Sequence, residues 1–251
     1  MTRQNYFWFK QFSLFSCIFF FCSSSLIAQV GKETDLWNWT KDAKHHQAIV
    51  QVDAGDGTGT GIVIHVDRDK KIKDGYEGYC LTAWHVVQNI NSNSIKINFR
   101  NGRRAKGCQV IEKDVERDIA VLWAWIPQEI EPADLARNPI RAGDELEFAG
   151  LGGGSDIQSS LRHFSGVASS PSSMEKIFAD VPLLPGDSGG PVFNESKEVV
   201  GIISGGWFWY DGGVKLPNGS EIKATWPARA SNIDPIRVLM ADLDTIPTNY
   251  K

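Results

Sequence analysis

Short runs of apolar, often β-branched residues alternate with clusters of Gly, Asp, Asn and charge along most of this chain. In its first half the runs are Ala48–Val52, Gly59–Val66, Gly78–Thr82, Ile95–Phe99, Cys108–Ile111 and Ile119–Trp123. Each has the length and composition of a strand. The breaks between them carry turn chemistry: Asp53-Ala54-Gly55-Asp56-Gly57, a charged hairpin tip from Asp67 to Lys73, and Asn101-Gly102. A stretch rich in Pro and charge, Pro127 to Asp144, reads as a connection between two halves. Strand-like text then resumes at Glu145–Ala149, Gly166–Ala168, Ile177–Ala179, Pro191–Phe193 and Val199–Ile203, with the glycine cluster 150–154 as a turn. Only near the end does the period change. Asp234-Pro235 reads as a helix cap and first turn, after which Ile236, Leu239, Met240 and Leu243 fall on one helical face. Many short strands with turns between them predict an all-β barrel or sandwich, with one helix packed on it.

Composition adds a leader and a sign of charge. The chain has 251 residues, 42% hydrophobic and 22% charged, enough for one large or two small cores. Residues 1–28 read as a secretory signal: Arg3 and Lys10 are basic, Phe12 to Cys22 is apolar, and small and polar residues lead to Ala28. The apolar run is shorter than the roughly 20 residues a membrane span needs. Leu26 is larger than the residue usual three positions before a cut, and Phe21-Cys22 lacks the small residue expected before a lipid-modified cysteine. Removing the leader takes two basic residues and no acidic one, leaving 24 basic against 30 acidic side chains. That balance argues against nucleic acid or an anionic membrane as partner. Export permits a disulfide between Cys80 and Cys108, and sequence leaves open whether they form one or stay as buried thiols.

No cofactor or metal site is expected. His45 and His46 stand beside Asp42 in an N-terminal arm, residues 29–46, but adjacent histidines point apart on a regular element. The Asp/Gly turn at 53–57 lacks calcium-loop spacing, and no helical pattern follows the glycines at 150–154 to make a phosphate loop.

One serine stands out by its setting, Leu184-Pro185-Gly186-Asp187-Ser188-Gly189-Gly190-Pro191. Glycines on both sides let the backbone turn sharply, so N–H groups near Ser188 can converge on a developing oxyanion. A serine alcohol needs a base, and the base needs an orienting acid. His85, in Leu81-Thr82-Ala83-Trp84-His85-Val86-Val87, sits where a strand gives way to a turn. Asp118 opens the apolar run Ile119-Ala120-Val121-Leu122. A carboxylate there points towards the interior or a cleft and, if buried, wants a partner; the alternative is an aspartate that caps the turn.

Together Thr82-Ala83-Trp84-His85, Asp118-Ile119-Ala120-Val121-Leu122 and Gly186-Asp187-Ser188-Gly189-Gly190-Pro191 resemble the trypsin-like (chymotrypsin-fold) serine peptidases. The bacterial secreted, HtrA/Do-like branch is the nearest. The resemblance spans roughly residues 47–243 and takes in Gly59-Thr60-Gly61, Gly201-Ile202-Ile203-Ser204-Gly205-Gly206 and Ile233-Asp234-Pro235-Ile236. It implies two six-stranded antiparallel β-barrels and a C-terminal helix. The first barrel would occupy residues 47–128, a linker 129–143, the second barrel 144–232, and the helix and tail 233–251. It further implies a secreted or periplasmic endopeptidase with a polypeptide substrate. Ser188 would be nucleophile, His85 base and Asp118 its orienter, with the N–H groups of Gly186 and Ser188 as oxyanion hole. By the same resemblance Val181, Leu183 and Leu184 and the strand Ser204, Gly205 and Gly206 line the primary pocket. No acidic residue stands in the first segment and no histidine beside Ser204, so a small or medium apolar residue is expected before the cut.

Several features depart from the family. Trp84 is bulky where a small residue is usual, no Ile-Val-Gly-Gly activation site is present, and Asp187 therefore lacks a new N-terminus to pair with. Trp207-Phe208-Trp209-Tyr210, with Trp226, forms either a substrate platform or barrel packing. The chain ends without the C-terminal peptide-binding module common in HtrA-like proteins, so a cage assembly is not expected. Two rival readings remain: a catalytically inactive protein-binding module on the same fold, and an esterase, which would differ in fold and in its Ser-Asp-His order. Natural substrate and oligomeric state are not legible.

Overall fold

The alternating runs of the first half close on themselves. In a computed structural model, residues 43–243 are described apart from 56, 91–93, 159–160, 170–172, 174, 210–213 and 216–219. The leader and most of the arm lie outside the described residues. Strands β1 (Ile49–Ala54), β2 (Gly57–Ile72), β3 (Gly75–Thr82), β4 (Ile95–Asn98), β5 (Arg104–Asp114) and β6 (Ile119–Pro127) form a closed antiparallel barrel, ordered β1-β2-β3-β6-β5-β4. Ile49, Val52, Ile62, Leu81, Ile97 and Leu122 on its strands are fully buried. Each such side chain contributes about 1.5–3 kcal/mol of burial free energy. The expected charged tip at Asp67–Lys73 is mostly strand: β2 runs on to Ile72, with a bulge between Asp67 and Lys71. A bulge inserts extra residues without ending the ladder, so a polar run there need not be a turn.

Cys80 on β3 and Cys108 on β5 are both buried free thiols. Burial pushes the Cys80 thiol well above its ordinary value and the Cys108 thiol up to about 12.

The second half forms another six-stranded antiparallel sheet from β7 (Glu145–Gly150), β8 (Arg162–Val167), β9 (Lys176–Ala179), β10 (Pro191–Phe193), β11 (Val199–Trp209) and β14 (Thr225–Asn232), ordered β8-β7-β10-β11-β14-β9. A bridge between Ala168, just past β8, and Ala179 of β9 brings its two edges together. Phe148 and Phe164 stack in its interior with centroids 5.4 Å apart. A small hairpin, β12 (Val214–Lys215) with β13 (Glu221–Ile222), projects from the β11–β14 connection. The glycines at 152–154 form one 3-10 turn. The C-terminal helix, Ile233–Leu243, buries Ile236, Leu239 and Leu243 and lies against β5, β11 and β14. Asn232, rather than Asp234, stands at its start: the Asn232 Oδ1 accepts the N–H groups of Ile233 (2.8 Å) and Ile140 (3.3 Å). The chain therefore adopts the expected all-β architecture of two six-stranded antiparallel sheets with a C-terminal helix.

Candidate active site

His85 lies in a four-residue helix, Trp84–Val87, that begins as soon as β3 ends. Asp118 immediately precedes β6 and holds a left-handed backbone conformation, φ 59°, which Asp tolerates better than bulky residues. The two segments are tied by main chain, because Trp84 N–H donates to the Asp118 carbonyl (3.2 Å). The Asp118 carboxylate then grips the histidine twice. Oδ1 accepts the His85 backbone N–H (2.8 Å), and Oδ2 accepts His85 Nδ1–H (2.7 Å). The Ser204 hydroxyl also donates to Oδ2, at 2.5 Å. Burial pushes the Asp118 carboxyl up, but the hydrogen bonds from His85 and Ser204 outweigh it and leave it below the ordinary Asp value. An ionised Asp118 fixes the Nδ1–H tautomer, which leaves Nε2 as the basic nitrogen.

Ser188 arrives from the other barrel on a loop pressed against this pair. Its carbonyl accepts Thr60 N–H from β2 (2.8 Å), and Gly189 N–H donates to the Ile203 carbonyl (2.7 Å). Gly189 has φ 84°, and a Cβ there would overlap the Thr60 carbonyl, the Thr82 hydroxyl and the backbone nitrogen of Ala83. The serine loop thus touches the segment that carries His85. Gly59 marks the same closeness from β2: a Cβ on it would lie 2.8 Å from the Val86 side chain and 3.0 Å from the Ser188 carbonyl. The serine hydroxyl and His85 Nε2 are not hydrogen bonded in this structure. The N–H groups of Gly186 and Ser188 donate to no protein acceptor among the described residues.

Thr60 joins the halves. Besides its N–H, its hydroxyl donates to the Gly186 carbonyl (2.7 Å) and accepts Leu151 N–H (2.9 Å). The residue is fully buried. Thr60→Val keeps the shape and strands both groups, each at a cost of about 1–3 kcal/mol. A urea denaturation series should show the lower midpoint, with turnover falling as the Gly186 loop loosens. An unchanged midpoint would mean that the hydroxyl does not organise this junction.

Asp187, whose role the sequence leaves open, is fully buried and points away from the serine. Its Oδ1 accepts Gly152 N–H (2.8 Å) and its Oδ2 accepts Leu184 N–H (2.8 Å). Its charge is met by the Arg162 guanidinium of β8, through Nη1. Arg162 is itself 1% exposed, donates Nη2–H to the Pro182 carbonyl (3.0 Å), and stacks over Phe164 at 4.1 Å. Burial opposes its charge and the Asp187 carboxylate favours it. This internal ion pair ties the approach to the serine loop, at Pro182 and Leu184, to the turn at Gly152.

The expected pocket residues differ in their surroundings. Val181, Leu183 and Leu184 are buried. Leu183 forms a two-way backbone bridge with Thr225 (2.9 and 2.8 Å). Ser204 is buried and engaged with Asp118, while Gly205 and Gly206 pair with Arg229 and Ala228 of β14. On the other side, β10 pairs with β11 only as far as Ile202, so no described strand covers that edge from Ser204 onward. Trp84 is half-buried, with the Lys113 ammonium 4.2 Å above its ring. The backbone of Trp207–Trp209 continues β11, but the side chains of 207–209 and Tyr210 lie outside the described residues. Sequence reasoning passed over Arg162, Arg229 and the Ser204–Asp118 bond. The available signal for Arg162 was a lone cation at an inward register position of β8, in the same molecule as a carboxylate without a partner.

Two six-stranded sheets meeting at a Gly-flanked serine, beside a paired histidine and aspartate, form the architecture of a trypsin-like peptidase domain. The family model for the trypsin-like peptidase domain matches residues 59–202, over half of the chain, and the chain belongs to that family. It is 31% identical over 155 residues to a probable periplasmic serine endoprotease DegP-like of Ectopseudomonas mendocina (strain ymp), covering 58% of this chain and 29% of that protein. It is 24% identical over 219 residues to serine protease Do-like HtrA of Bacillus subtilis (strain 168), covering 79% of this chain and 46% of that protein. The chain thus spans less than half the length of either relative. The serine endoprotease of Yersinia pestis superposes with a TM-score of 0.57 at 20% identity, over 81% of this chain and 67% of that one, a likeness of fold. No helix among the described residues is long and apolar enough to cross a membrane.

Proposed function

We propose that this chain is an exported serine endopeptidase that cleaves polypeptides through an acyl-enzyme. The observation that carries the reading is the His85 ring held by Asp118 through Nδ1 and backbone at once, against the loop that bears Ser188. Ser188 attacks the scissile carbonyl while His85 Nε2 takes its proton and passes it to the leaving amine. Water then hydrolyses the acyl-enzyme by the same relay. The Gly186 and Ser188 N–H groups receive the oxyanion, each such donor contributing about 3 kcal/mol to the transition state. The His85–Ser188 hydrogen bond forms on substrate binding, as in many sites whose bonds tighten in the Michaelis complex. Substrate adds as a strand along Ser204–Gly206, on the uncovered edge of β11.

Buried apolar side chains at Val181, Leu183 and Leu184 support a small or medium apolar residue before the cut. Arg229 supports a second reading. Its Nη2 lies 3.4 Å from Ser204 Oγ, a cation beside the primary pocket that would pair with an acidic side chain. Cleavage of a mixed peptide pool separates the two, and Arg229→Ala should abolish a preference for Asp or Glu if that reading holds.

A fluorophosphonate probe tests the reaction itself. Wild type should label at pH 8. Ser188→Ala should not, and its turnover should fall by about 10⁴-fold or more. A folded wild type that resists the label would instead support an inactive binding module on this fold.

A further inference from the structure

We infer that His45, His46 and Glu147, with His163 as fourth ligand, form a divalent transition-metal site of the zinc type that clamps the N-terminal arm to the second barrel. The inference does not rest on the peptidase reading. The two adjacent histidines were expected to diverge, and they do not. They lie in a 3-10 turn, Lys44–Ala48, that leads into β1 of the first barrel, with ring centroids 4.1 Å apart. A short turn on the barrel surface leaves both side chains free to bend towards the same neighbour. That neighbour is Glu147 on β7 of the second barrel. His45 Nε2 lies 3.1 Å and His46 Nε2 2.5 Å from the same carboxylate oxygen, Oε1. His163 Nδ1, from β8, lies 3.7 Å from that oxygen. Three imidazole nitrogens from two places in the chain therefore surround one carboxylate oxygen.

The ligand atoms of His45, His46 and Glu147 lie within 4.8 Å of one another. A tetrahedral ion with bonds of about 2.0–2.1 Å separates its ligand atoms by about 3.3 Å. The His45 separation already matches, the His46 ring must retreat by under about 1 Å, and His163, which stands outside the 4.8 Å group, must swing in towards the other two imidazoles to complete the four. As counter-ions the histidines are redundant, because Lys197 Nζ already sits 2.8 Å from Glu147 Oε2. That oxygen is the one a monodentate ion leaves to Lys197. His46 is 1% exposed and its Nδ1 has no partner among the described residues, so Glu147 is the polar contact of a buried ring. Phe193 packs edge-on to His45 at 4.9 Å and supplies an apolar wall.

The site would tie the residues just before β1 to β7 and β8, and hence one barrel to the other. Zn²⁺ and Co²⁺ added to the purified, untagged full chain provide the test. We expect one ion per chain in competition against a colorimetric chelator, and intense visible Co²⁺ bands of a four-coordinate centre. At Zn²⁺ a hundredfold above Kd the unfolding equilibrium should shift about 100-fold towards the native state. His45→Gln and His163→Gln, at partly exposed positions, should each weaken binding at least tenfold while melting like wild type in chelator. Glu147→Gln should abolish binding. Zn²⁺ affinity unchanged in the His45→Gln/His163→Gln double variant, or a pale six-coordinate Co²⁺ spectrum, would overturn the assignment even if peptidase activity is intact.

Discussion

Arg162→Met should destabilise the protein by about 3–5 kcal/mol, the range for removing one partner of a buried ion pair. Asp187 stays fully buried in such a variant. Two backbone N–H groups, from Gly152 and Leu184, still serve its carboxylate, but no cation does. It must then ionise uncompensated or take up a proton, and a neutral carboxyl is a weaker acceptor for those two donors. Either outcome loosens the loop 184–190 that presents Ser188. Because oxyanion donors matter at about 10²–10³ in rate each, turnover should fall by at least that factor in molecules that remain folded. Denaturant midpoints and kcat measured well below the melting temperature separate the two losses. Asp187→Leu combined with Arg162→Met should recover much of the stability and none of the activity, because the apolar pair removes the orphan charge but also the acceptor for Gly152 and Leu184. Stability and turnover both at wild-type level in Arg162→Met would remove the ion pair from any account of how this loop is held.

Asp118→Asn should leave the fold intact and lower kcat by about 10⁴-fold. An amide has one acceptor and one donor end. The His85 backbone N–H at Oδ1 is a fixed donor, so the amide oxygen must face it and the NH₂ must occupy the Oδ2 position. There it meets His85 Nδ1 and the Ser204 hydroxyl. The hydroxyl can rotate to accept. The imidazole can only shift its proton to Nε2, and a protonated Nε2 cannot take the proton of Ser188. Substrate binding does not depend on that tautomer, so KM should change little. A fall in kcat/KM carried wholly by KM would contradict the relay. Ser204→Ala should be far milder, because Oδ2 keeps His85.

The triad candidates were legible because each is local: a glycine-flanked serine, a histidine at a strand end, an acid before an apolar strand. So was the all-β class, from run length and turn residues. What sequence concealed is pairwise and distant. Arg162 and Asp187 are 25 residues apart and meet only after β8 and the serine loop pack together. The histidines at 45 and 46 converge on a glutamate a hundred positions away, and no periodicity reports such a contact. β14 went unnamed because Trp226, Pro227 and Arg229 interrupt its apolar alternation; its identity comes from the ladder with β11 and β9. For Val181, Leu183 and Leu184 apolar character alone suits a pocket wall and a barrel interior alike.

The two thiols of the first barrel also make a chemical clock. Thiolate, not thiol, reacts with alkylating agents, and both Cys80 and Cys108 are shut away from reagent and held protonated in the native chain. Any modification therefore timestamps an opening of that barrel, while the serine-bearing half, without a cysteine of its own, stays silent. A single mass spectrum of pulse-alkylated protein thus times the opening of the first barrel by itself.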